Sequence, residues 1–260
     1  MNSAAPEISL EARALRKSFG GLTATDDLSL SATRGEIHAV IGPNGAGKTT
    51  LVHLLSGMLK PDAGEILFEG RDITRLSAPA RVNQGLARSF QITSIFREFT
   101  VLENVMLSVQ AGQGHSFRFW RPAAHDESLR APGRELLERV GLGDRTDVKA
   151  GNLAHGEQRQ LEIAISLATK PSFLLLDEPM AGMGQEESQG MIDFLKALKG
   201  DYTMLLIEHD MDAVFALADR ITVLVYGRVI ATGTPNEIRN DPAVREAYLG
   251  TEDDSDAGTA

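Results

Sequence analysis

Short runs of apolar residues alternate with longer amphipathic stretches along much of the chain. Consecutive apolar residues predict buried strands in GEIHAVIG (35–42), SFLLLDEP (172–179), TMLLIEHD (203–210) and ITVLVYGRVIAT (221–232). Helices are predicted between these strands, the first of them in GKTTLVHLLSGML (47–59). Strands that alternate with helices are typical of an α/β protein with a mainly parallel sheet.

Two regions depart from this alternation. Residues 7–33 alternate between polar and apolar and carry turn residues at FGG and TDD, which predicts antiparallel strands, and GEILFEGRDI returns as strand and hairpin after the turn PDAG (61–64). From about 77 to 170 the pattern is mostly helical, in LENVMLSVQ, DESLRAPGRELLERVGL and NLAHGEQRQLEIA. We therefore expect an antiparallel β subdomain and an inserted α-helical subdomain beside the parallel sheet.

The last of these helical stretches has an unusual beginning. An apolar stripe at helical spacing starts with Leu161 and Ala164, yet neither Ala154 nor His155 is a favoured N-cap residue. A small, glycine-containing helix start suits the binding of an anion. These residues alone leave open which anion that is.

Composition narrows the class of protein. The chain has 260 residues, a net charge of −10 and no cysteine, so disulfides and thiolate metal sites are excluded and non-specific nucleic-acid binding is disfavoured. The absence of cysteine fits a reducing cytoplasm. No apolar run has the length of a membrane span, and the N-terminus lacks the pattern of a signal peptide. The acidic residues of 251–260 predict a disordered tail.

GPNGAGKT (42–49) matches the phosphate-loop pattern and lies between a predicted strand and a predicted helix, which is the context that this motif needs. The glycines let successive N–H groups point inward, and the helix adds its positive dipole end. Lys48 can reach β- and γ-phosphates, and the Thr49 hydroxyl can ligate Mg²⁺. The candidate nucleotide-binding residues are Gly42, Pro43, Asn44, Gly45, Ala46, Gly47, Lys48, Thr49 and Thr50.

Two adjacent acids complete this candidate site. Asp177 follows four apolar strand residues, at the carboxyl end where ligands bind in parallel α/β sheets. It is expected to hold Mg²⁺ through water. Glu178 can face the γ-phosphate and polarise an attacking water as a general base.

In this order, GPNGAGKTT, Gln91 after SF, the glycine–glutamate helix start, LLLDEP and LLIEHD resemble the nucleotide-binding subunit of an ABC transporter. The resemblance covers about residues 8–250. It implies a single ABC ATP-binding domain of the P-loop NTPase class, an α/β fold with its core at about 8–90 and 171–250 and a helical subdomain at about 92–170. The implied cofactors are ATP and Mg²⁺.

The resemblance also assigns roles to residues outside the phosphate loop. It implies that Phe19 stacks on adenine, although a core phenylalanine at a strand end is the alternative. It implies that Gln91 contacts Mg²⁺ and the attacking water, and that His209 contacts the γ-phosphate. Glu178, His209 and Gln91 are thus the expected catalytic residues, and Thr49, Gln91 and Asp177 are the expected metal ligands.

Two positions depart from the family pattern. The usual Leu-Ser-Gly-Gly-Gln signature, which closes over a γ-phosphate bound mainly by a second copy, is Leu153, Ala154, His155, Gly156 and Glu157 here. Ala154 lacks the hydroxyl that would bond this phosphate, so reduced function is expected. Gly184 stands where many relatives have Asp or Asn, which puts a polar contact across the dimer in doubt.

LEIA, AGM, LLIEHDM, EAYLG and SIFREFTVLENV resemble the ATP-binding subunits of branched-chain amino acid uptake systems. The implied partners are a second ATP-binding subunit, transmembrane permease subunits and, indirectly, a periplasmic solute-binding protein, with no nucleic acid. The implied location is peripheral, at the cytoplasmic face of the inner membrane. Phe96 and Phe99 would contact coupling helices of the permease or else pack in the helical core. FRFWR (117–121) would contact membrane or permease, or pack an insertion.

Three other functions stay open from the sequence. A related subunit could export lipid or lipopolysaccharide, which a different set of partners would reveal. Soluble ABC ATPases of translation or DNA repair usually carry two cassettes or a long coiled-coil insertion, and this chain has neither. A docking module without ATPase activity is disfavoured by the presence of Lys48, Asp177, Glu178 and His209.

Overall fold

The computed structural model of the chain describes residues 7–89, 95–112 and 126–249. Its strands are β1 Ile8–Phe19, β2 Leu22–Thr33, β3 Ile37–Ile41, β4 Ala63–Phe68, β5 Arg71–Asp72, β6 Leu86–Arg88, β7 Phe173–Asp177, β8 Thr203–Ile207, β9 Arg220–Val225 and β10 Arg228–Gly233. Its α-helices are α1 Lys48–Ser56, α2 Ala78–Asn83, α3 Val101–Gly112, α4 Glu127–Arg139, α5 His155–Leu167, α6 Gln185–Leu198, α7 Met211–Leu217, α8 Pro235–Asn240 and α9 Pro242–Leu249. No helix within these ranges is long and apolar enough to cross a membrane.

A six-stranded, mainly parallel sheet forms the centre of the molecule, in the order β10-β9-β3-β8-β7-β6. Strands β9, β3, β8, β7 and β6 pair in parallel, and β10 runs antiparallel to β9. Every residue of β3, β7 and β8 is buried, because helices cover one face of the sheet and α1 with the antiparallel strands covers the other. The α/β fold with a mainly parallel sheet is therefore confirmed.

The predicted antiparallel sheet is also present, in the order β2-β1-β4-β5. The turn at FGG joins β1 to β2, with Gly20 at a φ of 59°. The turn predicted at TDD is wrong, since Thr25, Asp26 and Asp27 lie inside β2. Asp27 has a φ of 54° beside register shifts in the β1–β2 ladder, so its polar, turn-forming character produces a bulge instead of a reversal.

The stretch 221–232 forms two strands, β9 and β10, that reverse at a turn with Tyr226 at a φ of 47° and Gly227 at 77°. The apolar run did not reveal this break, since only Gly227 marks the turn in the sequence. The helical block contains α3, α4 and α5 as predicted. Leu102, Val105, Leu137 and Leu161 from these three helices belong to one buried cluster.

Arg81 in α2 fastens the helix that follows the phosphate loop. Its buried guanidinium donates to the carbonyl oxygens of Leu54 and Leu55 at the end of α1, at 2.8 and 2.6 Å. It also donates to the carbonyl oxygens of Thr74 and Leu76, at 3.0 and 3.2 Å. Burial lowers its pKa to about 10, so the group stays charged at neutral pH and satisfies carbonyls that a helix end leaves without partners.

We expect Arg81→Leu to lower the free energy of unfolding by about 3 kcal/mol, because four carbonyls lose charge-assisted hydrogen bonds, two of which are fully buried. Urea unfolding of the two proteins measures this difference. Arg13→Leu is the matched control, since Arg13 is exposed and solvent screens its ion pairs. Equal losses in both variants would contradict the role of Arg81.

Candidate functional site

Parallel strands bring the candidate residues to one edge of the central sheet. The phosphate loop follows β3, Asp177 ends β7, and His209 follows β8. β8 pairs with both β3 and β7, so these three carboxyl ends are neighbours. The sheet therefore places the loop, the two acids and the histidine together, where ligands bind in open α/β sheets.

Two positions of the phosphate loop accept only glycine. A Cβ on Gly42 would lie 2.2 Å from the carbonyl oxygen of Leu224, and a Cβ on Gly47 would lie 2.3 Å from that of Ala24. Both φ angles are positive, at 157° and 102°. The loop is thus held between β9 and β2, and its shape depends on the absence of side chains at these positions.

Lys48 lies in the first turn of α1, with its ammonium group folded back onto the loop. Its Nζ donates to the carbonyl oxygens of Gly42 at 2.5 Å and Pro43 at 3.0 Å. Burial lowers the pKa of Lys48, while the nearby charges of Glu178 and Asp177 oppose that shift. The loop thus holds a cation close to two carboxylates, which is an arrangement suited to binding phosphate. Thr49 is exposed beside it and Thr50 is half-buried.

Asp177 is paired with a cation that the sequence did not suggest. Its side chain is 3% exposed, and Oδ2 accepts a hydrogen bond from Nη2 of Arg88 at 2.9 Å. Within the described ranges no three His, Cys, Asp or Glu side chains cluster to hold a metal ion. One buried carboxylate and an exposed threonine hydroxyl fit Mg²⁺, which binds through few protein oxygens together with phosphate oxygens and water.

Glu178 has a strained backbone, with a φ of 49°. Its N–H donates to the carbonyl oxygen of Ile207 at 2.9 Å, which ties the strained residue to the end of β8. The exposed imidazole of His209 lies near it, with Nδ1 3.8 Å from Glu178 Oε1. The structure therefore brings the predicted base and the predicted histidine together.

Glu208 is a site residue that the sequence analysis missed. It is buried at the end of β8, where Oε1 accepts from the N–H of Met180 at 3.0 Å and Oε2 accepts from the N–H of His209 at 3.1 Å. Burial raises the pKa of Glu208, and these hydrogen bonds oppose the shift. The carboxylate fastens His209 to the loop that follows β7. An acid directly after the apolar run TMLLI was the available signal.

The start of α5 differs from the prediction in one respect. Ala154 is the N-cap and gives no side-chain hydrogen bond, as expected, but Oε2 of Glu157 accepts from the N–H of Ala154 at 3.0 Å. Nε of Arg145 donates to the other oxygen of Glu157 at 2.9 Å. The helix start is therefore partly capped and its acid is partly neutralised. Ala154 and His155 remain exposed and Leu153 is buried.

This segment lies beside the loop and helix start at 182–187. A Cβ on Gly156 would be 3.6 Å from Oε1 of Glu187, and one on Gly182 would be 3.7 Å from the ring of His155. Gly184 is the N-cap of α6 and has open space around it. The two departures from the family pattern, at Ala154 and Gly184, are thus in neighbouring segments.

Phe19 ends β1 with its ring 48% exposed and Lys17 Nζ 5.8 Å from the ring centroid. The core alternative is therefore wrong, because the ring lies at the hairpin tip. The same hairpin approaches the phosphate loop at Ala24, whose carbonyl oxygen leaves no room for a side chain at Gly47. The exposed ring and this proximity are compatible with a stacking role.

Phe96 and Phe99 are 57% and 43% exposed and stack on each other, with centroids 5.3 Å apart. They therefore form an exposed aromatic pair, and the prediction that they pack in the helical core is wrong. Gln91, FRFWR (117–121) and the tail 251–260 lie outside the described residues.

A cavity of about 210 Å³ lies between the central sheet and the helical block. Most of its lining is apolar, and Arg88, Glu162 and Ile165 are among its residues. Glu162 is buried in α5, where Oε2 accepts from Arg159 at 2.8 Å and Oε1 has no partner. Burial raises the pKa of Glu162, and the ion pair with Arg159 opposes the shift.

Comparisons of the sequence with family models and with individual known proteins point to the same family. Residues 25–181 match the family model described as ABC transporter, and residues 228–254 match that of the branched-chain amino acid ATP-binding cassette transporter. The chain is 41% identical to the high-affinity branched-chain amino acid transport ATP-binding protein LivG of Salmonella typhimurium, over 93% of this chain and 97% of LivG. It is 37% identical to BraF of Pseudomonas aeruginosa, with the same coverage.

Among solved structures, the ADP conformation of MJ1267, an ATP-binding cassette of an ABC transporter, superposes with a TM-score of 0.83. The two sequences are 32% identical, and the match covers 94% of this chain and 99% of MJ1267. The P-loop ABC fold predicted from the motifs is thereby confirmed.

We expect Glu162→Gln to change how stability depends on pH. An acid whose pKa is raised by folding stabilises the native state below its unfolded pKa of about 4.3, and that contribution is lost as pH rises through the folded value. The glutamine has no such loss, so the variant should gain stability relative to wild type as pH rises from 4 towards neutral.

Urea unfolding at several pH values measures this difference. Glu246→Gln, in an exposed position of α9, is the control for the change of glutamate to glutamine and is measured at the same pH values. The same pH dependence in Glu162→Gln and wild type would contradict the raised pKa of Glu162.

Proposed function

The chain belongs to the ABC transporter family, among its ATP-binding proteins, and we propose that it hydrolyses ATP to power uptake of branched-chain or similar amino acids through separate permease subunits. Similarity to LivG and BraF over almost the whole chain carries this proposal. The phosphate loop with Lys48 beside Asp177 and Glu178 supports it chemically. A lipid or lipopolysaccharide exporter gains no support from these relatives.

In this proposal residues 42–50 bind the phosphates of ATP. Loop N–H groups and the start of α1 face the β- and γ-phosphates, and Lys48 exchanges the carbonyl oxygens of Gly42 and Pro43 for phosphate oxygens. Phe19 stacks on adenine. Thr49, Asp177 and Gln91 hold Mg²⁺, which neutralises charge that develops on the phosphates.

Glu178 accepts the proton of the attacking water, and His209 orients the γ-phosphate. Two observations support these roles. Glu178 is held in a strained conformation at the sheet edge, which positions its carboxylate. The buried carboxylate of Glu208 binds the backbone N–H of His209, which fixes the position from which the imidazole extends. Catalysis then relies on positioning and electrostatics.

We further propose that two ATP-binding subunits work together. The segment 153–157 of one copy, in which Ala154 and His155 are exposed, closes over the γ-phosphate bound by the other, with the dipole of α5 and its N–H groups as the main attraction. Ala154 contributes no hydroxyl to this contact. Glu157 carries a negative charge next to the expected phosphate, and Arg145 offsets it. Gly184 contributes no polar side chain across the dimer.

The exposed pair Phe96 and Phe99 supports a contact with the permease. Residues 92–170 would then form the subdomain that carries this contact, with the core at about 8–90 and 171–250, and Gln91 would join the two. The chain would work peripherally at the cytoplasmic face of the inner membrane. A periplasmic solute-binding protein would deliver the amino acid without touching this chain.

We expect Glu178→Gln to keep ATP affinity while slowing hydrolysis by on the order of 10²-fold or more, because the amide cannot accept the proton of water. Phosphate release and equilibrium ATP binding of the purified chain measure the two effects. Glu186→Gln, an exposed acid in the first turn of α6, is the control with unchanged turnover. Wild-type turnover in Glu178→Gln would refute the base assignment.

Ala154→Ser tests the contact across the dimer. If the missing hydroxyl weakens closure, the serine should stabilise the ATP-bound dimer by on the order of tenfold in Kd while monomer ATP affinity stays the same. Sedimentation of Glu178→Gln with and without the serine, in MgATP, measures dimerisation. Unchanged dimerisation would mean that backbone groups alone hold the phosphate there.

A further inference from the structure

Arg88 is a buried cation at the last position of β6, and its side chain is 8% exposed. Nη2 donates to Asp177 at 2.9 Å, Nη1 donates to the sulfur of Met58 at 3.2 Å, and Nε has no partner. None of the roles described above uses this residue. Burying a guanidinium with an unpaired nitrogen costs folding free energy, so the presence of Arg88 here points to a role other than packing.

The sheet register explains how Arg88 reaches Asp177. β6 and β7 are parallel, with Arg88 opposite Leu175. Side chains two residues apart on a strand share a face, so Asp177 projects on the same face as Leu175, next to Arg88. The pairing of Arg88 with Asp177 is therefore built into the backbone of two neighbouring strands.

We propose that Arg88 is the positioning residue of the carboxylate that binds Mg²⁺, an inference that rests on the proposed function of Asp177. Arg88 holds Oδ2 of Asp177 in one orientation, which leaves Oδ1 for the hydrated cation. Without Arg88 this buried carboxylate would lose the donor that fixes its orientation.

The location of Arg88 connects the metal site with the helical block. Arg88 lines the cavity of about 210 Å³ together with Glu162 and Ile165 of α5. In the sequence it is three residues before Gln91. The side chain of Arg88 thus contacts the metal-binding carboxylate and lines the cavity between the central sheet and the helical block.

The test compares ATP affinity in EDTA with ATP affinity over a series of Mg²⁺ concentrations, for the full chain. In EDTA, Arg88→Met and Arg88→Gln should bind ATP as wild type does, since residues 42–50 are unchanged. With Mg²⁺, both variants should need on the order of tenfold more cation for the same gain in affinity. Arg88→Lys keeps the charge and should lie closer to wild type. Arg13→Met is the matched control.

Rescue by the conservative variant separates positioning from a purely structural role, since the ammonium of Arg88→Lys can still donate to Oδ2 of Asp177 and the side chain of Arg88→Met cannot. If Arg88→Met does not fold, as thermal unfolding would show, Arg88→Gln decides in the same way. Wild-type Mg²⁺ midpoints in the folded variants, or tighter Mg²⁺ binding, would overturn the proposal.

The wild-type chain distinguishes this failure from failure of the proposed function. If wild type does not bind ATP, or binds it equally in EDTA and in Mg²⁺, the assignment of Asp177 is wrong and the role of Arg88 fails with it. If wild type responds to Mg²⁺ and the folded Arg88 variants respond equally, only the role of Arg88 is wrong.

Discussion

The backbone conformation of the phosphate loop is the constraint on which the site depends. Gly42 is pressed against a carbonyl of β9 and Gly47 against a carbonyl of β2, so the loop has room for main chain only. That confinement brings the Lys48 ammonium to the loop carbonyls and sets where α1 begins. Arg81 then fixes the far end of α1 by binding its last carbonyls. The loop and the helix that follows it are therefore both held by contacts within the chain.

The other site residues are held by buried ionic and hydrogen-bonding groups at neighbouring strand ends. Arg88 pairs with Asp177, and Glu208 joins the segment of His209 to the loop that follows Glu178. Each buried charge is costly alone and is tolerated because it is bonded. The cost is consistent with a site that must keep several charges in fixed positions, which is what phosphoryl transfer requires.

The motifs predicted the central elements well because their chemistry is local. GPNGAGKT directly follows a buried strand and FLLLDEP contains one, so the order of elements and the edge at which Asp177 emerges could be read directly. Arg88 and Glu208 could not, since their partners lie on other strands and depend on register. The TDD bulge and the exposed Phe96 and Phe99 also depend on packing between distant segments, which periodicity does not report.

A crystal structure of the chain with a non-hydrolysable ATP analogue and Mg²⁺ tests the central claim most directly. The account predicts β- and γ-phosphates within residues 42–49, with Lys48 Nζ moved from the carbonyl oxygens of Gly42 and Pro43 to the phosphates. It also predicts the cation between Thr49 and Asp177. A nucleotide bound elsewhere, or Lys48 still on those two carbonyls with the phosphates in place, would contradict it.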